Sequence, residues 1–394
     1  VTAQLDAARQ TIEQALDDLL AQHDPRGDVT EFLGARFDAG LAWVYYPVGL
    51  GGLGLPRPLQ AIVEERMLAV GAPNPGQFNA LGLGMGAPVL LAHGTPEQQQ
   101  QWLRPLFTCE EIWCQMFSEP GAGSDLAALA CKAVRDGDEW VVNGQKVWTT
   151  LAHVARWGML VVRTDPDVSK HKGMSYFIID MHSPGVEVRP LRQITGEAEF
   201  NEVYFDDARV PHENLIGDLG DGWRVSLTTL MNERVMIGGT TPPRGSGAIG
   251  DLVEVWRERG GSPAERDHLM RLWVEAETAR LTNVRARENL KAGTPGPEGS
   301  TGKITYATLN QRIYEFAVDL MGAEGMLYDS YEMTRPEMFA PIEDPRKAFL
   351  RARGNSIEGG TTEIMKRILG ERVLGLPGEP QVDKDLPWNQ IPRS

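Results

Sequence analysis

Cysteine is scarce in this sequence, with only Cys109, Cys114 and Cys131 in 394 residues, none at metal-ligand spacing. That excludes a disulfide-built scaffold and fits a reducing, cytoplasmic setting. Cationic residues are also in deficit, 39 Lys plus Arg against 54 Asp plus Glu, for a net charge of −15. Such a balance argues against nucleic acid or an anionic membrane as the main partner, although a local cluster of donors can still hold an anionic ligand. No run of about 18 apolar residues occurs, so no spanning helix is expected. No internal repeat is evident. At the N-terminus, Leu5, Ala8, Ile12, Leu16 and Leu19 fall at helical spacing with acids between them, the pattern of an amphipathic helix rather than a signal or transit peptide. What is present is an ordinary globular composition, 42% hydrophobic and 24% charged, in a chain long enough for two or three domains.

Residues 1–113 read as helical. A Pro/Gly-rich break spans Asp38 to Leu55, and apolar residues recur at three- and four-residue spacing in 59–70 and 88–94. Thr95-Pro96-Glu97 predicts a helix start with an N-cap, a first-turn proline and an early acid. From Cys114 to Gly217 the period changes to two. Asn143-Gly144 lies between alternating runs and predicts a hairpin turn, because both residues tolerate positive φ. Further strands are expected at 158–164, 174–180, 186–190 and 202–210. After Trp223 the helical period returns over 223–238, 249–258, 265–292, 303–321 and 361–373. The segment from Ala292 to Gly302 reads as a flexible connector, and the stretch from Pro377 as an irregular tail.

One stretch draws these parts together: Cys114 to Leu129, CQMFSEPGAGSDLAAL. An apolar run breaks into Ser118-Glu119-Pro120, crosses Gly121-Ala122-Gly123 and closes on Ser124-Asp125. Glycines let backbone N–H groups converge on an anion or a flat ring, and the serine adds a rotatable donor. Asp125 reads as a cap for the turn that follows. Trp148-Thr149-Thr150 stands some twenty residues later, and Ser356 to Ile364, SIEGGTTEI, lies near the C-terminus with Thr361 or Thr362 as a natural N-cap. In combination these segments, with Tyr45–Gly54 and HGTPEQQQQWL, resemble the FAD-dependent acyl-CoA dehydrogenase family over nearly the whole chain. The resemblance implies an α+β fold: an N-terminal helical domain (1–113), a middle antiparallel β domain (114–217) and a C-terminal four-helix bundle with an irregular tail (218–394). It also implies FAD contacts from Phe117, Ser118, Gly123, Ser124, Trp148, Thr150, Thr361 and Glu363, and substrate contacts from Ser124 and Arg234.

The family's chemistry takes the α-proton of an acyl-CoA thioester with a carboxylate while the β-hydride goes to flavin, giving a trans-2-enoyl-CoA. Many members carry that glutamate just before the Gly-Thr of the C-terminal motif; here the position is Gly359. Glu233 in LTTLMNERVMIGG matches a second group, whose base lies on the first helix of the C-terminal domain, and Glu358 is the alternative. At the margin of an apolar helix face, Glu233 is expected to be partly desolvated with a raised pKa. The Gly359 N–H is then available to hold the thioester oxygen. In DLMGAEGML (319–327) Asp319 and Ala323 depart from the family's second signature, and the family's arginine–phenylalanine interface motif has no counterpart after 250. Such divergence accompanies hetero-oligomers in this family. The expected partners are an acyl-CoA, an electron-transfer flavoprotein and further subunits in a homo- or hetero-oligomer. A flavin oxidase or monooxygenase, and a non-catalytic subunit, are the alternatives.

Overall fold

The computed structural model describes residues 2–238, 242–291, 298–328, 330–340, 342–380, 383 and 386–391. Five helices come first: α1 (Thr2–Gln22), α2 (Val29–Asp38), α3 (Gln60–Val70), α4 (Ala87–His93) and α5 (Pro96–Phe107). The expected start of α5 is a reciprocal capping box. Thr95 Oγ1 accepts the Gln98 N–H at 3.3 Å, and the Gln98 side chain accepts the Thr95 N–H at 2.9 Å. The Gln98 amide also donates to the carbonyls of Glu213 and Leu215, so the cap fastens α5 to the β domain.

Eight strands form one sheet: β1 (Trp113–Met116), β2 (Lys132–Asp136), β3 (Glu139–Thr150), β4 (Trp157–Arg163), β5 (Met174–Asp180), β6 (Val186–Pro190), β7 (Phe200–Pro211) and β8 (Leu215–Ile216). Their order is β6-β7-β3-β2-β4-β5-β8, with β1 on β4. Pairing is antiparallel except for β1 with β4 and one β2–β4 contact. The Asn143-Gly144 hairpin does not form. β3 runs straight through it, and the reversal comes earlier at Gly137, with φ of 63°. Asn143-Gly144 instead makes a β-bulge against β7. Asn143 exchanges hydrogen bonds with Asp207, and a Cβ on Gly144 would meet the Cys131 Cα at 2.7 Å.

One face of the sheet packs on the N-terminal helices and on α6 (Gly222–Gly238), in a core that includes Trp102, Trp113, Phe117, Tyr176 and Val225. Then come α7 (Ala248–Arg259), α8 (Pro263–Lys291), α9 (Glu298–Met321), α10 (Pro345–Ala352) and α11 (Thr362–Ile368). Helix α9 is the centre, with α7 and α8 packed on one side and α10 and α11 on the other. The expected connector is shorter than its composition suggests: 292–297 lie outside the described residues, but 298–302 already belong to α9. The C-terminal stretch is irregular but docked. Trp388 stacks under the Arg163 guanidinium at 4.9 Å and donates to the Ala128 carbonyl at 3.3 Å. Among the described residues no helix is long and apolar enough to cross a membrane.

Candidate active site

The glycine loop is set by a buried ion pair. After β1, Phe117 turns inward, edge-on to Tyr176 at 5.9 Å, and the Ser118 carbonyl accepts the Val147 N–H at 2.9 Å. Glu119 and Lys146 follow, with side chains 8% and 0% exposed. The Lys146 ammonium donates to Glu119 Oε1 at 2.7 Å and to the Phe117 carbonyl at 3.0 Å. The Glu119 carboxylate also accepts the N–H groups of Ala130 and Cys131, at 2.6 and 3.0 Å. Both oxygens of the Glu119 carboxylate are hydrogen-bonded and its charge is paired, as burial in low dielectric requires. Ser118 is left half-buried, while Gly123 and Ser124 are exposed on the turn. Asp125 does not cap the following turn. Its carboxylate accepts from Lys170 at 2.8 Å, and Lys170 also donates to Asp383 of the tail at 2.6 Å.

Trp148 is presented by a second bulge. The β3–β7 register shifts between Lys146 and Thr149, and Trp148 takes φ of 61°. A bulky residue in the left-handed region costs about 1–3 kcal/mol, sustained only where the surroundings over-determine it. The paired strand on both sides does so here, and the indole is held outward, 57% exposed, with its ring 5.8 Å from Phe200 in an edge contact. Thr150, half-buried, pairs with Phe200 across the ladder.

Arg351 of α10 stands next in this chain of contacts. Its guanidinium lies 5.6 Å from the Phe200 ring and 3.4 Å from Glu199. The same group forks onto Glu358, at 3.1 Å to Oε1 and 2.7 Å to Oε2, and Asn355 Nδ2 donates to Oε1 at 2.7 Å. Burial works against the Arg351 charge, but the bonds to Glu358 and the nearby Glu199 outweigh it and hold its pKa above the ordinary arginine value. Desolvation pushes Glu199 upward, with Arg351 opposing. Beyond Glu358, Gly359 and Gly360 have φ of 61° and 92°, and Thr361 caps α11 by accepting the Ile364 N–H at 3.2 Å. Glu363 is exposed in the first turn. A cleft of about 1600 Å³ opens here, bordered by Leu151, Glu199, Arg351, Glu358 and Gly359, and runs between α7, α8 and α9.

Glu233 lies on α6, half-buried, where Gln115 of β1 donates to its Oε2 at 3.3 Å. One turn earlier, the Thr229 hydroxyl meets the Tyr176 hydroxyl at 3.2 Å. Tyr176 therefore touches both Phe117 of the glycine loop and the helix that carries Glu233. The side chain of Arg234 lies outside the described residues.

Ser118, Trp148, Thr150 and the Glu358–Gly359 loop are thus joined through Val147, Phe200 and Arg351, while Glu233 of α6 is met by Gln115 of the strand that leads into the glycine loop. Residue type alone hid three participants. Lys146 falls on the same alternate positions as the buried Trp140 and Val142, which is the signal that it faces inward. Arg351 and Phe200 carry no local signal. The site combines an outward aromatic held at positive φ, half-buried hydroxyls and an open glycine turn, where a methyl added at Gly121 or Gly123 would meet no heavy atom within 4 Å. These features fit a flat, hydrogen-bonding ring system and its phosphates.

Comparison with known proteins agrees with this geometry. Residues 2–110, 114–208 and 220–374 match the N-terminal, middle and C-terminal domains of acyl-CoA dehydrogenase, respectively. Acyl-CoA dehydrogenase IpdE1 of Mycobacterium tuberculosis (strain ATCC 25618 / H37Rv) is 38% identical over 343 residues, 86% of each chain. The ChsE4-ChsE5 complex from Mycobacterium tuberculosis includes a chain that is 27% identical with a TM-score of 0.70, covering 96% of this chain and 99% of that one. A glutaryl-CoA dehydrogenase from Mycobacterium smegmatis, in complex with FADH2, shares the fold at 18% identity and a TM-score of 0.67, covering 94% of this chain and 95% of its own. The chain belongs to the acyl-CoA dehydrogenase family, oxidoreductases whose cofactor is FAD.

Proposed function

We propose that this chain converts an acyl-CoA thioester to its trans-2-enoyl-CoA with Glu233 as the base that removes the α-proton. FAD, when bound, supplies the acceptor for the β-hydride. Phe117, Ser118, Gly123, Ser124, Trp148, Thr150, Thr361 and Glu363 would hold it, and an electron-transfer flavoprotein would reoxidise it. Gly359 offers its N–H to the thioester oxygen, where charge develops as the α-proton leaves. The observation that carries the choice of base is the state of its rival. Glu358 is bound by a two-pronged arginine fork and an asparagine amide, so it is committed to anchoring its loop. Glu233 accepts from the Gln115 amide at 3.3 Å, a contact that orients its carboxylate from β1.

A hetero-oligomer is the favoured assembly. The ChsE4-ChsE5 relative is a complex of two different chains, and the arginine–phenylalanine interface motif is missing from this sequence. The test of the base is anaerobic flavin reduction by acyl-CoA in Glu233→Gln and Glu358→Gln. Loss of a general base costs on the order of 10²–10⁴ in rate. Glu233→Gln should lose that much at normal FAD content, while Glu358→Gln should still reduce its flavin. The reverse order would move the base to Glu358, and reduction surviving in both would place it on another chain.

A further inference from the structure

Two walls of the proposed flavin site belong to different domains. One is the Trp148–Thr150 end of β3, and the other is the Glu358–Thr361 loop after α10. Arg351 is the residue that touches both sides. Its fork fixes Glu358, the residue before Gly359, and Asn355 holds the same carboxylate from the turn below. The face of its guanidinium lies against Phe200, whose edge meets Trp148. Its Nε approaches Glu199, whose backbone carbonyl accepts the Leu151 N–H at 2.8 Å, directly after Thr150.

We propose that Arg351 is a positioning residue that sets the spacing between these two walls, and with it the grip on FAD. The inference rests on the flavin lying against Trp148, as read above. A planar fork and a stacking face are both in use, and lysine can supply neither. Glu358 thereby becomes the anchor of the positive-φ turn at Gly359 and Gly360. One turn away on α10, Lys347 pairs with Glu197 at 2.5 Å. That contact also joins α10 to the β domain, but it reaches neither Glu358 nor Phe200, so it serves as an internal control for mere domain docking.

The experiment measures FAD affinity of the holoenzyme by release of flavin fluorescence on dilution, with the visible circular dichroism of bound flavin as a second readout. The variants are Arg351→Gln, Arg351→Lys, Glu358→Gln, Lys347→Gln and Trp148→Ala. Charge-assisted fork bonds correspond to about tenfold or more in affinity. Arg351→Gln and Arg351→Lys should each weaken FAD by about that factor and alter the dichroism. Glu358→Gln should shift affinity in the same direction by less, and Lys347→Gln should stay within about twofold of wild type. Equal losses in Lys347→Gln and Arg351→Gln would overturn the inference, since the effect would be docking in general. Weakening by Trp148→Ala without weakening by Arg351→Gln would also overturn it, leaving the flavin wall intact. If neither Trp148→Ala nor Arg351→Gln weakens FAD, the placement of flavin against Trp148 fails instead. Should Arg351→Gln not fold, Arg351→Lys and Glu358→Gln carry the same decision.

Discussion

Replacing Lys146 with methionine tests the knot beneath the glycine loop. Lys146 is fully buried and Glu119 nearly so, and the ammonium makes two of its hydrogen bonds to Glu119 and to the Phe117 carbonyl. Methionine keeps the length and apolar stem of lysine but strips a buried carboxylate of its countercharge. The N–H groups of Ala130 and Cys131 remain to it, so the carboxylate is still hydrogen-bonded but no longer neutralised. Breaking a buried pair from one side costs about 3–5 kcal/mol, and those two N–H bonds place Lys146→Met toward the lower end. Lys146→Met with Glu119→Gln should recover part of the loss, because the uncompensated charge is gone, while glutamine keeps an oxygen for only one of the two N–H groups and turns its NH2 toward the other. Denaturant unfolding at neutral pH measures all three variants, and bound FAD per subunit reports the loop, because Phe117 and Ser118 immediately precede Glu119. A single-variant loss below about 1 kcal/mol, or a double variant as unstable as the sum of the singles, would refute the reasoning.

Gly144→Ala should cost about 1–3 kcal/mol in thermal or denaturant unfolding, because the new methyl meets the Cys131 Cα and Sγ at 2.7 and 2.8 Å while φ is held at 146°. A neutral result would mean that β2 and β3 can separate at the bulge. The tail clasp should depend on pH. The hydrogen bond from Lys170 holds the Asp383 carboxyl below its ordinary value. A depressed folded-state pKa stabilises above the unfolded value of about 3.9 and is lost as pH falls through the lower, folded one. Amide protection at Leu126–Ala128, taken relative to the intrinsic exchange rate at each pH, should therefore fall on acidification from pH 5 toward pH 3, and Trp388→Ala should lower it already at pH 7. Unchanged exchange in Trp388→Ala would show that the turn holds without the tail.

Local patterns carried the elements whose ends are decided locally. β5 and β6 coincide with the expected 174–180 and 186–190, since a short run bounded by turn residues, continuously buried in β5 and alternating in β6, needs no distant partner to define its ends. The start of α5 was legible for the same reason. Asn143-Gly144 was not, because a hairpin turn and a β-bulge ask for the same residues. Contacts from other strands decide between them: Asp207, 64 positions on, takes up the Asn143 side chain, and Cys131 needs the space beside Gly144. The 298–302 segment reads as a linker by composition but is helical, continuous with the turns that bring Lys303 to the Asn355 carbonyl and Gln311 to that of Ala352.

The choice between the two glutamates shows why site residues are harder to read than folds. The sequence favours Glu233, which matches a position used as base within the family, over Glu358, which stands one residue before the usual position, and each lies next to a segment that fits the chemistry. What the structure adds is the fork that already holds Glu358. Glu358 is claimed by Arg351 seven positions earlier and by Asn355 three earlier, a spacing set by α10 and the turn after it. Glu233 is met by Gln115, 118 positions away, on a strand placed only once the whole sheet has formed. A fork from arginine stabilises the ionised form and holds it, so proton uptake by that carboxylate would have to break the pair at the moment of reaction. The same fork that unfits Glu358 as a base gives Gly359 a fixed backbone, so in the proposed mechanism the loop contributes an N–H while the proton leaves toward α6.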